Sequence, residues 1–296
     1  MERIIEQSTF SQGGKEIPVL TIRPESITGN TGLMLVLHGW GNNRSQYWEL
    51  MLDFSERYNV VCISPEYRDS GWDASEEGTG IRQPYDFSHL QVMDALAAFR
   101  AVSLEYPGGN ARRAFVWGGS QGGHIAMLAT AFAPNTFAVT VDACGIVYPD
   151  PAKERWKWAG LSKEDQVEWQ IRDARHFVDR IRNKVFLFHG DADETVDIGQ
   201  SYKLKDALER AGKEVEAHYT QGGDHFLKPV TTRTEQTIQY ASEDLNARSI
   251  IGENDFERGS VFTFPCTGQT ARVDFRGDVP ELSWIVEGTT STPNDS

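Results

Sequence analysis

The chain has 296 residues, enough to bury one large core with room for a modest extra module. With 39% hydrophobic and 24% charged residues it has the balance of an ordinary globular protein, and its formal net charge of −14 speaks against a nucleic acid partner and disfavours a strongly anionic substrate or a membrane surface. Three cysteines, Cys62, Cys144 and Cys266, lack metal-like spacing and leave at least one unpaired; no metal site is expected, no apolar run approaches a membrane span, and the start Met1-Glu2-Arg3-Ile4-Ile5 has no secretory core, so a cytoplasmic location is expected.

In chain order, residues 2–23 read as a β-hairpin, with Ile4–Phe10 and Ile17–Ile22 flanking Gly13-Gly14. Strands are then predicted at 33–38, 60–64, 114–117, 137–143, 185–189 and 215–219, and helices near 45–57, 86–105, 121–133, 199–212 and 231–247. Such alternation implies a mostly parallel sheet covered by helices on both faces, an α/β fold. Cys62 lies within Val60-Val61-Cys62-Ile63 and reads as core.

Three strand ends carry chemistry. The run from Leu33 enters His38-Gly39-Trp40-Gly41, where the N–H of Trp40 is placed to donate to an oxyanion. Ala114-Phe115-Val116-Trp117 enters Gly118-Gly119-Ser120-Gln121-Gly122-Gly123, followed by a helical run from His124. This is a G-x-S-x-G turn between a strand and a helix. The serine occupies a strained apex, and its neighbours must be small to avoid the strand and helix. The amide of Gln121, at the positive end of the new helix, is the other candidate oxyanion donor. Val185-Phe186-Leu187-Phe188-His189-Gly190 then ends in Asp191, Asp193, Glu194 and Asp197, any of which could orient a base; Asp142, at the end of the preceding strand, is the outside candidate. The strand at 215–219 leads into Gly222-Gly223-Asp224-His225-Phe226, so a serine, an acid and a histidine occur in the order of a hydrolase triad. Among the other histidines, His38 and His189 precede glycines and are expected to bond their loops, His124 points poorly for a base, and His176 reads as solvated.

At these residues the chain resembles the α/β-hydrolase superfamily over roughly residues 15–247. The His-Gly-x-x-Asp-x-x-Val acid loop is similar to the dienelactone-hydrolase and prolyl-oligopeptidase-like branches, and Gly-Gly-Ser-Gln-Gly-Gly is similar to the acetyl-esterase branch. The resemblance implies Ser120 as nucleophile, Asp193 as acid and His225 as base, with no cofactor. The acetyl-esterase branch has Arg-Gly-Gln after the fourth strand, where this chain has Glu66-Tyr67-Arg68-Asp69-Ser70-Gly71, and an acidic residue after the histidine, where this chain has Phe226. Since residues 2–23 read as a short hairpin ahead of the core, no prolyl-oligopeptidase propeller is expected.

The hydrolase domain is taken as residues 1–248, and two stretches of the chain exceed the minimal core of the fold. Residues 146–180 carry Trp156, Trp158 and Trp169 and form either an aromatic lid or an amphipathic helix on the core. Residues 249–296 form a β-rich extension, with strands at 261–264, 271–275 and 282–286, expected to pack on the same domain; a homo-oligomer contact through it is an alternative. Trp40, Tyr47 and Tyr67 are expected to line an apolar or aromatic-tolerant pocket. The expected activity is hydrolysis of a small or medium carboxylic ester. The alternatives are a serine peptidase acting on short peptides, with Glu66, Glu76 or Glu77 available to bind an amino terminus, and a non-catalytic binding protein that kept the fold.

Overall fold

A computed structural model describes residues 3–71, 85–149, 161–162 and 164–286. Its centre is an eight-stranded sheet in the order β1-β2-β4-β3-β5-β6-β7-β8. Strands β1 (Arg3–Gln12) and β2 (Lys15–Pro24) form the expected hairpin, turned at Gly13-Gly14, and β2 pairs antiparallel with β4 (Val60–Pro65). From β4 onward through β3 (Gly32–Leu37), β5 (Ala114–Gly119), β6 (Val139–Ala143), β7 (Lys184–Gly190) and β8 (Val215–Thr220) every pairing is parallel.

Period-two alternation decides which residue faces which helical layer. Met34, Val36, Phe115, Trp117, Phe186 and Phe188 meet α1 (Trp48–Tyr58) and α6 (Arg233–Ala247) on one face. Leu33, Leu35, Leu37, Val116, Val185 and Leu187 meet α2 (His89–Glu105), α3 (Gln121–Phe132) and α5 (Gly199–Arg210) on the other. The central strands are buried on both faces, which is why they read as unbroken apolar runs. All twelve residues of α3 are buried, so the helix is enclosed on every side by the sheet and the elements packed on it.

Of the 146–180 stretch, Trp156 and Trp158 lie outside the described residues. The remainder forms α4 (Gln166–Ile171) and a 3-10 turn, Ala174–Arg180. Ile171, Phe177 and Val178 enter the main core, whereas Trp169 donates its Nε1–H to Ser162 O at 2.8 Å and packs beside Tyr85, Phe87, Ile146 and Val196.

After α6 the chain makes a short helix, α7 (Asp255–Arg258), and an antiparallel sheet ordered β11-β10-β9, built from Val261–Cys266 (β9), Gln269–Asp274 (β10) and Glu281–Val286 (β11). Asn254 and Glu257 form a reciprocal capping box. Asp255 accepts bonds from the Asn135 amide, the Asn135 side chain and the Thr136 hydroxyl, tying α7 to the end of α3. One face of the small sheet is part of the main core: Phe264 lies 5.0 Å from Phe132 and 5.5 Å from Phe177 between ring centres, and Ala271, Val273 and Phe275 are buried. Among the described residues, no helix is long and apolar enough to cross a membrane.

Candidate active site

Ser120 leaves β5 with φ 59° and ψ −121°, then α3 begins. A non-glycine residue is held at positive φ only where its surroundings enforce it, and the glycines around Ser120 show what does so here. A Cβ on Gly118 would fall 2.0 Å from Gly122 O, and one on Gly122 would fall 2.0 Å from Leu37 O. Strand, turn and helix therefore approach as closely as main chain allows, and Ser120 Oγ is lifted to the carboxyl edge of the sheet, where open α/β sheets place their sites.

The loops after β7 and β8 supply the partners. Ser120 Oγ donates to His225 Nε2 at 2.9 Å, and His225 Nδ1–H donates to Asp193 Oδ2 at 2.7 Å. The other carboxylate oxygen of Asp193 accepts the amides of Thr195 at 2.8 Å and Val196 at 2.9 Å. His189 Nε2 lies 3.2 Å from Asp193 Oδ2 and 2.9 Å from Val196 O, so a second imidazole braces the same carboxylate. Burial alone would raise the Asp193 carboxyl; the bonds from His189, His225 and Val196 outweigh it and hold the group well below the usual carboxylate range. Burial lowers the His225 imidazole, with Asp193 opposing and Arg233 assisting, so it is neutral and able to accept a proton. His225 is itself held in place: Asp224 Oδ1 accepts the amides of Phe226 and Lys228, and Arg233 Nη2 donates to His225 O.

The competing acids are placed elsewhere. Asp191 accepts the Gly222 amide at 2.6 Å, Asp197 accepts the Gly199 amide at 2.9 Å, and Glu194 is exposed. Asp142 is buried behind α3 with Oδ1 unpartnered, and burial pushes its carboxyl up to about 7. His38 bonds Gly39 O and His124 bonds Ile146 O; burial lowers both to about 4. His176 is exposed, with its Nε2 3.0 Å from Pro265 O.

Facing Ser120 is the loop Gly39-Trp40-Gly41: a Cβ on Gly39 would sit 3.4 Å from Ser120 Cβ. Gln46 Oε1 accepts the Gly39 amide at 2.6 Å. The Trp40 ring stacks on Tyr85 at 4.2 Å, and Tyr85 joins the two sides of the site, accepting the Gly41 amide and donating to the Gln121 side chain at 2.7 Å. Gln121 opens α3, so its amide has no intrahelical acceptor.

A cavity of about 520 Å³ opens over these groups, lined by Trp40, Asn42, Gln46, Ser120, Ile146, Thr195, His225, Phe226 and Arg233. Of the three aromatic residues expected to line it, only Trp40 does. Tyr67 is 1% exposed, its ring stacked on His38 at 4.0 Å and its hydroxyl donated to His38 O; it supports the strand end from behind. Tyr47 stands one layer back, edge-on to Trp117, with its hydroxyl accepting from Arg233 Nη1 at 3.0 Å. Glu66 is paired with Arg44, and Glu76 and Glu77 lie outside the described residues. Arg233, Gln46, Ile146 and Thr195 were not foreseen; each comes from a loop or helix start whose position depends on tertiary packing. Cys144, Asp193 and His225 present potential ligand atoms within 4.8 Å of one another, but a cation there would have to displace the Asp193–His225 bond.

Comparison with known proteins agrees with this fold. The model of the prolyl oligopeptidase family matches residues 86–245, more than half of the chain. An uncharacterized peptidase of Bacillus subtilis (strain 168), YtmA, is 28% identical over 182 residues, covering 58% of this chain and 67% of its own. Among solved structures, an acylaminoacyl peptidase of Pyrococcus horikoshii superposes with a TM-score of 0.69 at 15% identity, covering 85% of this chain and 42% of that one. A dienelactone hydrolase fold from Klebsiella pneumoniae superposes at 0.65 and 14% identity, covering 83% of this chain and 100% of that one. This chain spans well under half of the acylaminoacyl peptidase and 36% of a dipeptidyl aminopeptidase from Bacteroides ovatus.

Proposed function

Because the chain belongs to the prolyl oligopeptidase family of serine hydrolases, we propose that it cleaves a carboxylic ester of a small or medium substrate through an acyl-serine intermediate. The observation that carries this reading is the unbroken chain of bonds from Ser120 Oγ through His225 to Asp193 at the base of an open cavity. In this reading His225 Nε2 takes the Ser120 proton as Oγ attacks the substrate carbonyl, and Asp193 fixes the tautomer and stabilises the imidazolium. The amides of Trp40 and Gln121 receive the developing oxyanion, each donor worth about 3 kcal/mol of barrier. His225 then returns its proton to the leaving group and activates the water that releases the acyl group. Ester cleavage is preferred because the described cavity wall carries no carboxylate to anchor a free amino terminus; its one charged side chain is Arg233.

A second reading, cleavage of peptides or acyl-peptides, draws support from the family match and from the Bacillus peptidase. A purely binding role leaves the relay without a purpose. The deciding experiment sets the protein and its Ser120→Ala variant against 4-nitrophenyl esters of graded acyl length and a panel of aminoacyl and acyl-aminoacyl anilides. Ester turnover lost by about 10³-fold or more in the variant is the expected result. Dominant anilide cleavage promotes the peptidase reading, and survival of most activity in Ser120→Ala overturns the assignment of the nucleophile.

A further inference from the structure

Among the described residues, only two arginines are fully buried, Arg172 and Arg233. Arg172 is neutralised by Glu168. Arg233 is 5% exposed, and no carboxylate of the described residues lies within ion-pair distance of it. Its Nη1 donates to the Tyr47 hydroxyl, its Nη2 donates to His225 O, and its Nε is buried with no partner. Its guanidinium carbon lies 4.9 Å from the centre of the Phe226 ring, so the charge meets a π face and neutral oxygens but no described anion. Keeping a guanidinium in that state is costly, because buried charges are normally paired.

The charge is placed at the chemistry. Arg233 forms part of the cavity wall together with Ser120 and His225. A Cβ on Gly119, the residue before Ser120, would lie 2.7 Å from Arg233 Nη1. No acidic residue shares the described wall, so nothing of the protein's own competes for the guanidinium there. Long-range repulsion from the net charge of −14 is screened over about 8 Å at physiological salt, whereas a bound anion would meet Arg233 directly.

We propose that Arg233 is a specificity-determining residue, and that the site takes substrates bearing a free carboxylate a few bonds from the scissile carbonyl. This rests on the hydrolase reading above and names its substrate class. The carboxylate belongs either to the acyl group, as in the half-ester of a short dicarboxylic acid, or to the leaving group, as in an ester of a small hydroxy acid.

The test compares kcat/KM for matched substrates in the wild-type protein, Arg233→Met and Arg233→Lys. On the acyl side the pair is 4-nitrophenyl hemiglutarate and 4-nitrophenyl valerate. On the leaving-group side it is the butyrate ester of glycolic acid and that of glycolamide. A charge-assisted contact predicts that the wild type favours the anionic member of one pair by about 10- to 100-fold. The preference should vanish in Arg233→Met and return in part in Arg233→Lys. Equal rates within both pairs in the wild type overturn the proposal. So does an equal fall for anionic and neutral substrates in Arg233→Met, which would make Arg233 a support for the His225 loop. Should the variants not fold, inhibition of wild-type valerate turnover by glutarate, with no inhibition by glutaramide, supports the proposal, and equal inhibition by both overturns it. Failure of the hydrolase reading looks different: no ester is turned over and Ser120 is not labelled by a fluorophosphonate, which removes both readings.

Discussion

Two aspartates at the ends of neighbouring strands receive opposite treatment. Asp193 gathers two imidazoles and two main-chain amides and is held ionised. Asp142 is buried against glycines: a Cβ on Gly123 or Gly145 would fall 2.1 or 2.0 Å from its Oδ1, an oxygen with no hydrogen-bond partner. Burial pushes the Asp142 carboxyl up to about 7, opposed by His189 and the Gly145 amide. The sign follows from linkage. Unfolded, the group titrates near 3.8; folded, near 7; between those values the folded state holds an extra proton. Stability from this site is therefore greatest below the unfolded value, falls as pH rises, and is fully lost above about 7. Asp142→Asn removes the titration. We expect its melting temperature to gain on that of the wild type by several degrees between pH 4.5 and pH 8.5. Thermal melts of both proteins across that range check this. A difference that stays constant with pH would mean that Asp142 is not protonated in the fold.

The elbow is set at the scale of elements, by the closeness of β3, β5 and α3. Gly122 is packed on the main chain of β3, with a prospective Cβ 2.0 Å from Leu37 O and 2.9 Å from His38 O. Since every residue of α3 is buried, the helix has no room to retreat. Gly122→Ala is expected to cost about 1–3 kcal/mol or more in urea unfolding, and to lower turnover further by tilting Ser120 from His225. Gly29→Ala, where no atom lies within 4 Å of the prospective Cβ, is the control and should be near neutral. Wild-type stability in Gly122→Ala would refute the packing argument. These elements were legible in the sequence because local chemistry specifies them: apolar runs for strands buried on both faces, and glycines where main chains touch. Tyr67 was misplaced because a tyrosine after a strand is equally suited to a pocket wall and to a buried hydrogen bond; its stacking on His38 is a long-range fact. Arg233 was hidden for a similar reason. It opens an amphipathic helix, where an arginine ordinarily faces water, and here it is enclosed by distant parts of the chain, Tyr47, Gly119 and the His225 loop.

At the scale of the whole molecule, the three-stranded sheet after α7 raises the question of what counts as the core. Read along the chain, residues 249–296 look like an addition to a finished hydrolase, and composition gives no measure of how tightly they pack. In the structure Phe264 sits against Phe132 and Phe177, Phe275 meets Phe256 edge-on at 4.9 Å, and Arg180 lies over the Phe264 ring at 4.4 Å. Phe132 belongs to α3, the helix that carries the nucleophile turn at its other end. Burying Phe264, Val273 and Phe275 contributes about 1.5–3 kcal/mol each, a sum comparable to the whole stability of a typical domain, about 5–15 kcal/mol. Ending the chain after Gly259 should therefore do more than trim an appendage. It uncovers the outer side of α3 and of the Ala174–Arg180 turn, and the expected product is insoluble or melts far below the full chain, with hydrolase turnover lost in step. A truncated protein that melts as the full chain does and keeps its turnover would make the small sheet a separable module. The rigidity of α3 beneath Ser120 would then have to come from the central sheet alone.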